Sequence, residues 1–285
     1  MLHSRRLLHS ALLFAVVSAG AARADQVVFG FEQPAFTVGN INGQQGWSKS
    51  GNYDAVVSNG AALGGDQSLR ISSGITSGSF GDQTFTQHLA TPAGESSIAG
   101  ALDTFEASWS FKSATGGLQD GLFISVSADN GAGARMTWVG MGDDAVNGLN
   151  LGFYDWSLDG GFQYQQVATH LDYATWHSVD LTVSFLDGPG NDVVKLVLDG
   201  TTVATGTTWE DFYRFGPTSD GGGGGLSPVN SLLFRAGGAA APATLDHGFY
   251  IDNVSLASQT PEPGTAALAV GALLVVGSLR RRKRA

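Results

Sequence analysis

The chain of 285 residues contains no cysteine. It therefore forms no disulfide, and it has no cysteine nucleophile. Without covalent cross-links, the fold depends on its apolar core and on any metal ion that the chain binds. The absence also narrows the possible chemistry, because a catalytic mechanism would have to rely on carboxylates, histidines or hydroxyls.

Basic residues are scarce outside the two ends of the chain. Residues 25–258 hold seven Lys and Arg against 24 Asp and Glu, a formal charge of −17. The other eight of the 15 basic residues are terminal: Arg5, Arg6, Arg23, Arg280, Arg281, Arg282, Lys283 and Arg284. So acidic a domain repels nucleic acid phosphates, which excludes nucleic acid as a partner, and it offers many oxygen ligands to calcium.

The usual motifs of hydrolytic enzymes are also missing. There is no His-Glu-x-x-His, no Gly-x-Ser-x-Gly, and no Gly-Lys-Ser/Thr after the glycine run 221–225. Glycoside hydrolysis needs two carboxylates facing one bond. Glu106 lies in a strand-like stretch but has no partner carboxylate two or four residues on. We expect no catalytic residue, with a divergent glycan-active enzyme using Glu106 as the alternative.

The N-terminus carries an export signal. Arg5 and Arg6 precede the apolar stretch 7–17, and Ala22-Arg23-Ala24 matches a small-residue cleavage site. This order of basic, apolar and small residues predicts a secretory signal peptide over residues 1–24. The residues that follow are therefore expected to be exported.

The C-terminus carries a second apolar stretch. Residues 264–279 contain no charge and are followed at once by the basic cluster 280–284. At about 1.5 Å per residue the stretch is slightly short for a hydrocarbon core of about 30 Å, and a buried core helix is the alternative. The basic cluster favours a transmembrane helix in the inner membrane whose C-terminus stays in the cytoplasm.

These C-terminal features together resemble the PEP-CTERM sorting signal of Gram-negative bacteria, with a Pro-Glu-Pro motif, an apolar helix and an arginine cluster in order. The matching residues are Pro261, Glu262, Pro263, Arg280, Arg281 and Arg282. The resemblance implies a sorting tail over residues 259–285 that an exosortase recognises as its substrate. It further implies a protein of the cell surface or extracellular matrix that accompanies exopolysaccharide. A plain membrane anchor is the alternative.

Between the two ends, the pattern is that of β-strands. Large apolar residues alternate with small or polar ones, and Gly, Asp and Asn separate the runs. The clearest examples are 105–113, 121–129, 177–187, 192–200 and 248–257. No stretch here shows a convincing helical period, so residues 25–258 are predicted to form one antiparallel sandwich or jelly roll, with 221–225 as a loop.

A second resemblance covers most of this domain. Residues 175–206 are similar to the central hairpin of concanavalin A-like and laminin G-like jelly rolls. Residues 27–36, 64–72 and 249–257 resemble strands at the beginning and end of carbohydrate-binding jelly rolls. The resemblance implies a concanavalin A-like β-sandwich, an architecture that serves lectins, hydrolases and adhesion modules alike.

The same resemblance implies a structural calcium ion held by Glu32 and Asp252. Neighbouring carboxylates repel one another unless a cation or a donor joins them, and backbone oxygens near Asp66 and Gln67 would complete the site. The alternative is that Glu32 and Asp252 accept backbone N–H groups. The pairs Asp143-Asp144 and Asn191-Asp192 are interpreted as turn residues rather than as metal ligands.

Aromatic and polar residues are interleaved over residues 137–166. In a strand, Tyr154 and Trp156 share one face while Phe153 and Asp155 share the other, so only one set faces the core. Exposed rings flanked by planar polar groups suit sugars. We therefore predict Tyr154 and Trp156 as a polysaccharide contact, with core packing as the alternative.

Together these features predict an exported, exosortase-sorted protein whose sandwich contacts extracellular polysaccharide without catalysis. A glycan-active enzyme on the same fold and a purely structural matrix protein are the alternatives.

Overall fold

The structure is a computed structural model that describes residues 24–77, 80–157 and 159–260, apart from the side chain of Asp220. One compact unit spans Arg23–Thr260. Most of the predicted signal peptide lies outside the described residues. So do all of the predicted sorting residues: Pro261, Glu262, Pro263, Arg280, Arg281 and Arg282. Within the described part, no helix has the length and apolarity needed to cross a membrane.

Two antiparallel sheets make up the compact unit, which confirms the predicted β-sandwich. The larger has nine strands in the order β14-β13-β12-β7-β16-β5-β4-β2, and β1 also pairs with β16. Its strands are β1 (Ala24–Phe29), β2 (Gly39–Asn40), β4 (Ala55–Ser58), β5 (Ser68–Ile71), β7 (Thr104–Ser113), β12 (His177–Ser184), β13 (Val193–Leu198), β14 (Thr201–Gly206) and β16 (Phe249–Gln259).

The second sheet has seven strands in the order β11-β10-β9-β8-β15-β6-β3. Its strands are β3 (Ser48–Ser50), β6 (Gln83–Phe85), β8 (Leu122–Asp129), β9 (Trp138–Asp144), β10 (Gly148–Ser157), β11 (Gly161–Ala168) and β15 (Ser231–Ala236). Neighbours β8, β9, β10 and β11 follow one another in the chain, so this part of the sheet is a simple meander.

Alternation along the strands places one face of each sheet in a shared core. In β10, Leu149, Leu151 and Phe153 are fully buried, and in β12, Val179 and Val183 are as well. All five stretches singled out by their alternation form strands, namely β7, β8, β12, β13 and β16. The register of side chains is thus set by which face is buried.

Aromatic rings occupy one end of the core. Trp47 is fully buried and contacts Phe29 and Phe31 with ring centroids 5.3 and 5.4 Å apart, and it stacks on Phe234 at 5.9 Å. Phe29 belongs to the nine-stranded sheet and Phe234 to the seven-stranded one. Trp47 therefore links the two sheets through packing, the role that a disulfide plays in many exported sandwiches.

The last strand, β16, changes partners along its length. Phe249–Ile251 pairs with β5, while the later residues pair with β1, and the register against β7 shifts between Asp252 and Ser255. Asn253 has a φ of 50° at this point. The opening and closing strands of the domain therefore lie side by side, and the irregularity in β16 places Asp252 at the junction of β1 and β5.

One short helix, α1 (Glu210–Phe215), interrupts the all-β pattern. It was not predicted from the sequence, in which the strand pattern dominates between the two ends. Two 3₁₀ turns cover Thr218–Asp220 and Pro242–Thr244. The glycine run 221–225 follows the first of these turns and contains no helix or strand, as expected.

Gly248 offers a test of the packing at the start of β16. Its φ is +83°, and an added Cβ would lie 2.0 Å from the carbonyl oxygen of Ile71. Gly238 also has a positive φ, +73°, but an added Cβ there meets nothing within 4 Å. We expect Gly238→Ala to lower the free energy of unfolding by about 1 kcal/mol and Gly248→Ala by about 3 kcal/mol or more. Urea unfolding measures both, and equal losses would contradict this packing.

Candidate functional site

A cleft of about 960 Å³ lies on the face of the seven-stranded sheet that is turned away from the core. We call it the aromatic cleft because most of the large side chains that line it are aromatic. Its lining consists of Phe80, Gln83, Ala132, Gly133, Ala134, Arg135, Trp138, Tyr154, Phe162, Trp209, Phe212, Tyr213 and Gly221.

The floor of the cleft follows from strand register. Trp138 in β9 pairs with Tyr154 in β10, and Tyr154 pairs with Tyr164 in β11. The ring centroids are 5.0 Å apart for Trp138 and Tyr154, and 4.8 Å apart for Tyr154 and Tyr164. An added Cβ at Gly152 would lie 2.1 Å from the Tyr164 hydroxyl, so a glycine at this position lets Tyr164 lie flat on the sheet.

One wall of the cleft is α1 together with the residue before it. Trp209 donates its backbone N–H to the carbonyl of Met136 at 2.9 Å and its indole N–H to the carbonyl of Tyr154 at 3.3 Å. Its ring lies 4.6 Å from that of Phe162, which in turn lies 5.1 Å from Phe212. These contacts attach α1 to the outer face of β9, β10 and β11.

Two arginines lie beside the rings of the cleft, and Arg135 is one of the residues that line it. The guanidinium groups of Arg135 and Arg235 lie 4.8 and 4.5 Å from the ring centroid of Phe80. Both also approach Trp138, at 5.7 and 5.9 Å. Burial lowers the pKa of each arginine, and the charge of Asp129 opposes this for Arg135. Phe80 is 60% exposed, so a planar aromatic surface remains open beside these cations.

The two residues predicted to contact polysaccharide occupy different positions. Tyr154 is partly exposed and lines the aromatic cleft, while Phe153 beside it is fully buried in the core. Trp156 is only 8% exposed and packs 6.0 Å from Phe212. Trp156 thus supports the wall from behind, and Phe162, 45% exposed, presents its ring at the surface instead.

A cluster of three buried carboxylates lies at the start of α1. Glu95, Asp192 and Glu210, here called the acid cluster, each offer a carboxylate oxygen within 4.8 Å of the other two. All three side chains are buried. They come from three separate segments: the connection between β6 and β7, the end of the β12–β13 loop, and the first residue of α1.

Arg214 partly compensates the acid cluster. Its guanidinium group pairs with Glu95 and lies 3.5 Å from Glu210. Gly190 donates its N–H to Glu210 Oε1 at 2.8 Å, and the Thr208 hydroxyl donates to Asp192 Oδ2 at 2.6 Å. Burial raises the pKa of Asp192, and burial together with the facing Asp192 and Glu95 carboxyls raises the pKa of Glu210 well above its usual range. Such a cluster has the donor chemistry to hold a metal ion.

The helix α1 contributes to both features. Phe212 and Tyr213 line the aromatic cleft, whereas Glu210 and Arg214 belong to the acid cluster and its ion pairs. Side chains three and four residues apart share one face of a helix, so one short helix divides its residues between the two environments. The helix α1 therefore contacts both the aromatic cleft and the acid cluster.

Glu32 and Asp252, the pair predicted to bind calcium, both contact the loop before β5. Glu32 Oε1 accepts the N–H groups of Asp66 and Gln67 at 2.9 and 2.8 Å. Asp252 Oδ2 accepts those of Leu63 and Gly64 at 2.8 and 3.3 Å. The loop thus presents hydrogen-bond donors, where a cation requires oxygens. Both carboxylates thus accept backbone N–H groups, which was the alternative to a calcium site. Calcium at this pair stays a prediction, and the N–H groups of the loop do not favour it.

The two pairs interpreted as turn residues, Asp143-Asp144 and Asn191-Asp192, differ in what they bind. Asp144 accepts the N–H groups of Val146 and Asn147 at 2.8 Å each, as a turn residue does. Asn191 also bonds within its loop, to the Asp187 carbonyl at 2.8 Å. Asp192 does more than close a turn, because it accepts the Leu186 N–H and also belongs to the acid cluster.

Glu106 in β7 has a carboxylate neighbour, Asp180, on the adjacent strand β12. Glu106 pairs with Thr182 and Ser108 pairs with Asp180, so the two acids lie diagonally across the strand pair. Both carboxylates are exposed and line a shallow groove of about 290 Å³ on the nine-stranded sheet. A partner on an adjacent strand cannot be found by searching at fixed spacing along one strand.

Sequence reasoning also missed the wall of the cleft, although the signal is present. In the stretch 209–215, Trp209, Phe212 and Tyr213 recur at helical spacing, and Glu210 and Arg214 are four residues apart. One and a half turns of such a pattern indicate an amphipathic helix with an aromatic and a charged face.

No protein-family model matches this sequence, and no curated protein matches it either.

Several solved structures are distantly similar in fold. A sialidase matches with 11% identity and a TM-score of 0.44 over 75% of this chain, which spans only 17% of the sialidase. The T. cruzi calreticulin globular domain matches with 13% identity and a TM-score of 0.43 over 77% of this chain and 88% of its own. A family 7 alginate lyase, A1-II', in complex with substrate matches with 12% identity and a TM-score of 0.40 over 76% and 93%. At these levels of similarity no function is transferred.

Proposed function

We propose that this protein binds a polysaccharide in the aromatic cleft and that binding, not catalysis, is its function. The observation that carries the proposal is the set of rings that β9, β10, β11 and α1 bring together, led by Trp138, Tyr154 and Phe162. Sugar rings present C–H groups on their faces and hydroxyls at their edges. Aromatic faces bind the first, and flanking polar groups such as Gln83 and Arg135 bind the second.

The shape of the site supports a polymer over a small molecule. The cleft is formed on the surface of a sheet, between α1 on one side and the segment containing Phe80 on the other. Phe80 and Phe162 are exposed large apolar side chains at 60% and 45%. Exposed rings grouped in one cleft of about 960 Å³ favour a ligand that extends along the surface over a small molecule that is buried.

A glycan-active enzyme is the second candidate, and one observation favours it. Glu106 and Asp180 lie together on the nine-stranded sheet, away from the aromatic cleft. Paired carboxylates are the requirement for glycoside hydrolysis. Release of reducing sugar that is abolished by Glu106→Gln would support the enzyme, while retention of polysaccharide without release supports the binding module.

Truncation of the exposed rings tests the binding site. We expect Phe162→Ala to weaken binding about tenfold or more, because aromatic side chains at the centre of an interface carry a large share of its free energy. Affinity electrophoresis measures this in gels cast with hydroxyethylcellulose, dextran or xanthan. The purified full-length chain, kept in a mild detergent, should be retarded by at least one of these polymers.

Phe215→Ala is the matched control. Phe215 is 56% exposed and ends α1, but it does not line the cleft. Its removal should leave retardation unchanged. Equal effects of Phe162→Ala and Phe215→Ala would place binding elsewhere, and no retardation by any polymer would contradict the proposed function and favour a purely structural matrix protein.

We further propose that the chain is exported through its N-terminal signal and sorted by an exosortase to the cell surface or extracellular matrix. Support comes from the sequence alone: the signal peptide pattern and the PEP-CTERM tail with its Pro-Glu-Pro motif. Export would bring the domain to the outside of the cell, where extracellular polysaccharide, its proposed ligand, is found. On this proposal the acidic domain faces the exterior and the arginine cluster faces the cytoplasm until the tail is processed.

Replacing the Pro-Glu-Pro motif with alanines tests the sorting proposal. In a Gram-negative host that encodes an exosortase, the variant carrying Pro261→Ala, Glu262→Ala and Pro263→Ala should remain in the inner membrane fraction. Immunoblots of cell fractions should show the wild type, and a Pro242→Ala control, at the surface or in the matrix. The same distribution for all three proteins would contradict recognition of this motif.

A further inference from the structure

We propose that the acid cluster of Glu95, Asp192 and Glu210 is a binding site for one calcium ion. This site is separate from the Glu32–Asp252 pair and does not depend on the proposed polysaccharide function. It joins three connecting segments of the sandwich, and Arg214 also links two of them through its ion pairs with Glu95 and Glu210.

The geometry of the oxygens suits calcium. The three carboxylates each offer an oxygen within 4.8 Å of the others. Calcium binds oxygens at about 2.3–2.6 Å, so two oxygens on one ion lie no more than about 4.6–5.2 Å apart. Ligands from three flexible segments also suit calcium more than magnesium, which demands a nearly ideal octahedron.

An unpartnered buried atom points to the same ligand. Glu210 is 1% exposed, and its Oε1 accepts the Gly190 N–H, but its Oε2 finds no hydrogen-bond partner among the described residues. A buried carboxylate oxygen without a donor is costly, and the other two carboxylates cannot supply one when ionised. A cation between the three groups satisfies this oxygen.

The charge balance agrees with a divalent ion. Asp211 is also buried, next to Glu210, so four carboxylates gather at the base of α1. Among the described residues, Arg214 is the basic side chain that forms ion pairs with this group. Ionisation of all four acids beside one arginine would leave an excess of negative charge away from water. A calcium ion offsets most of that charge, whereas without an ion the raised pKa of Glu210 keeps its carboxyl neutral.

Calcium titration of the purified full-length chain in mild detergent tests the proposal. Isothermal calorimetry with calcium chloride should show one saturable site, with a dissociation constant on the order of 10⁻⁵–10⁻³ M. At a calcium concentration about 100 times that constant, the Tm should rise by about 5–10 °C over its value in EDTA. No binding heat together with the same Tm in calcium and in EDTA would overturn the proposal.

Four variants locate the ion. Glu210→Gln keeps the size of the side chain and should weaken calcium binding at least tenfold, and Asp192→Asn serves if the first variant fails to fold. Glu106→Gln, an exposed carboxylate outside the cluster, should bind as the wild type does. Glu32→Gln should also retain binding. Loss of binding in Glu32→Gln with retention in Glu210→Gln and Asp192→Asn would assign the ion to the other carboxylate pair and overturn this proposal.

Discussion

Carboxylates that accept backbone N–H groups hold the loops of this sandwich in place. With no cysteine available, distant segments are joined through hydrogen bonds to acidic side chains, over separations of 24 to 192 residues. Charged acceptors make these bonds stronger than neutral ones. The acceptors in such long-range bonds include Asp25, Glu32, Asp143, Asp187 and Asp252. The acidic composition thus has a structural use beyond solubility.

The acid cluster does not follow this pattern of carboxylates bound to backbone N–H groups, which makes it a candidate functional site. The long-range acceptors above meet backbone N–H groups, whereas Glu95, Asp192 and Glu210 lie within 4.8 Å of one another. Arg214 forms ion pairs with Glu95 and Glu210. Glu210 begins α1 and Phe212 lines the cleft, so one short helix contacts both the acid cluster and the aromatic cleft. On the two proposals, calcium in the cluster and polysaccharide in the cleft are therefore linked through α1.

The sequence predicts regular features of this fold better than its site. Alternation located β7, β8, β12, β13 and β16 because a strand with one buried face must repeat every second residue. The cleft could not be predicted in full, since its rings come from segments as far apart as Phe80 and Trp209. Tyr154, which lines the cleft, was singled out because its strand is rich in aromatics, and its contact with polysaccharide stays a prediction. The acid cluster was missed because its three members come from segments that are far apart in the sequence.

The most direct test of this account is the effect of calcium on polysaccharide affinity. The dissociation constant of the full-length chain for hydroxyethylcellulose, or for whichever neutral polymer retards it most, should be measured in saturating calcium and in EDTA. The account predicts binding that is several-fold tighter in calcium for the wild type, with no such difference for Glu210→Gln. Equal affinities for the wild type in calcium and in EDTA would contradict the link between the acid cluster and the aromatic cleft.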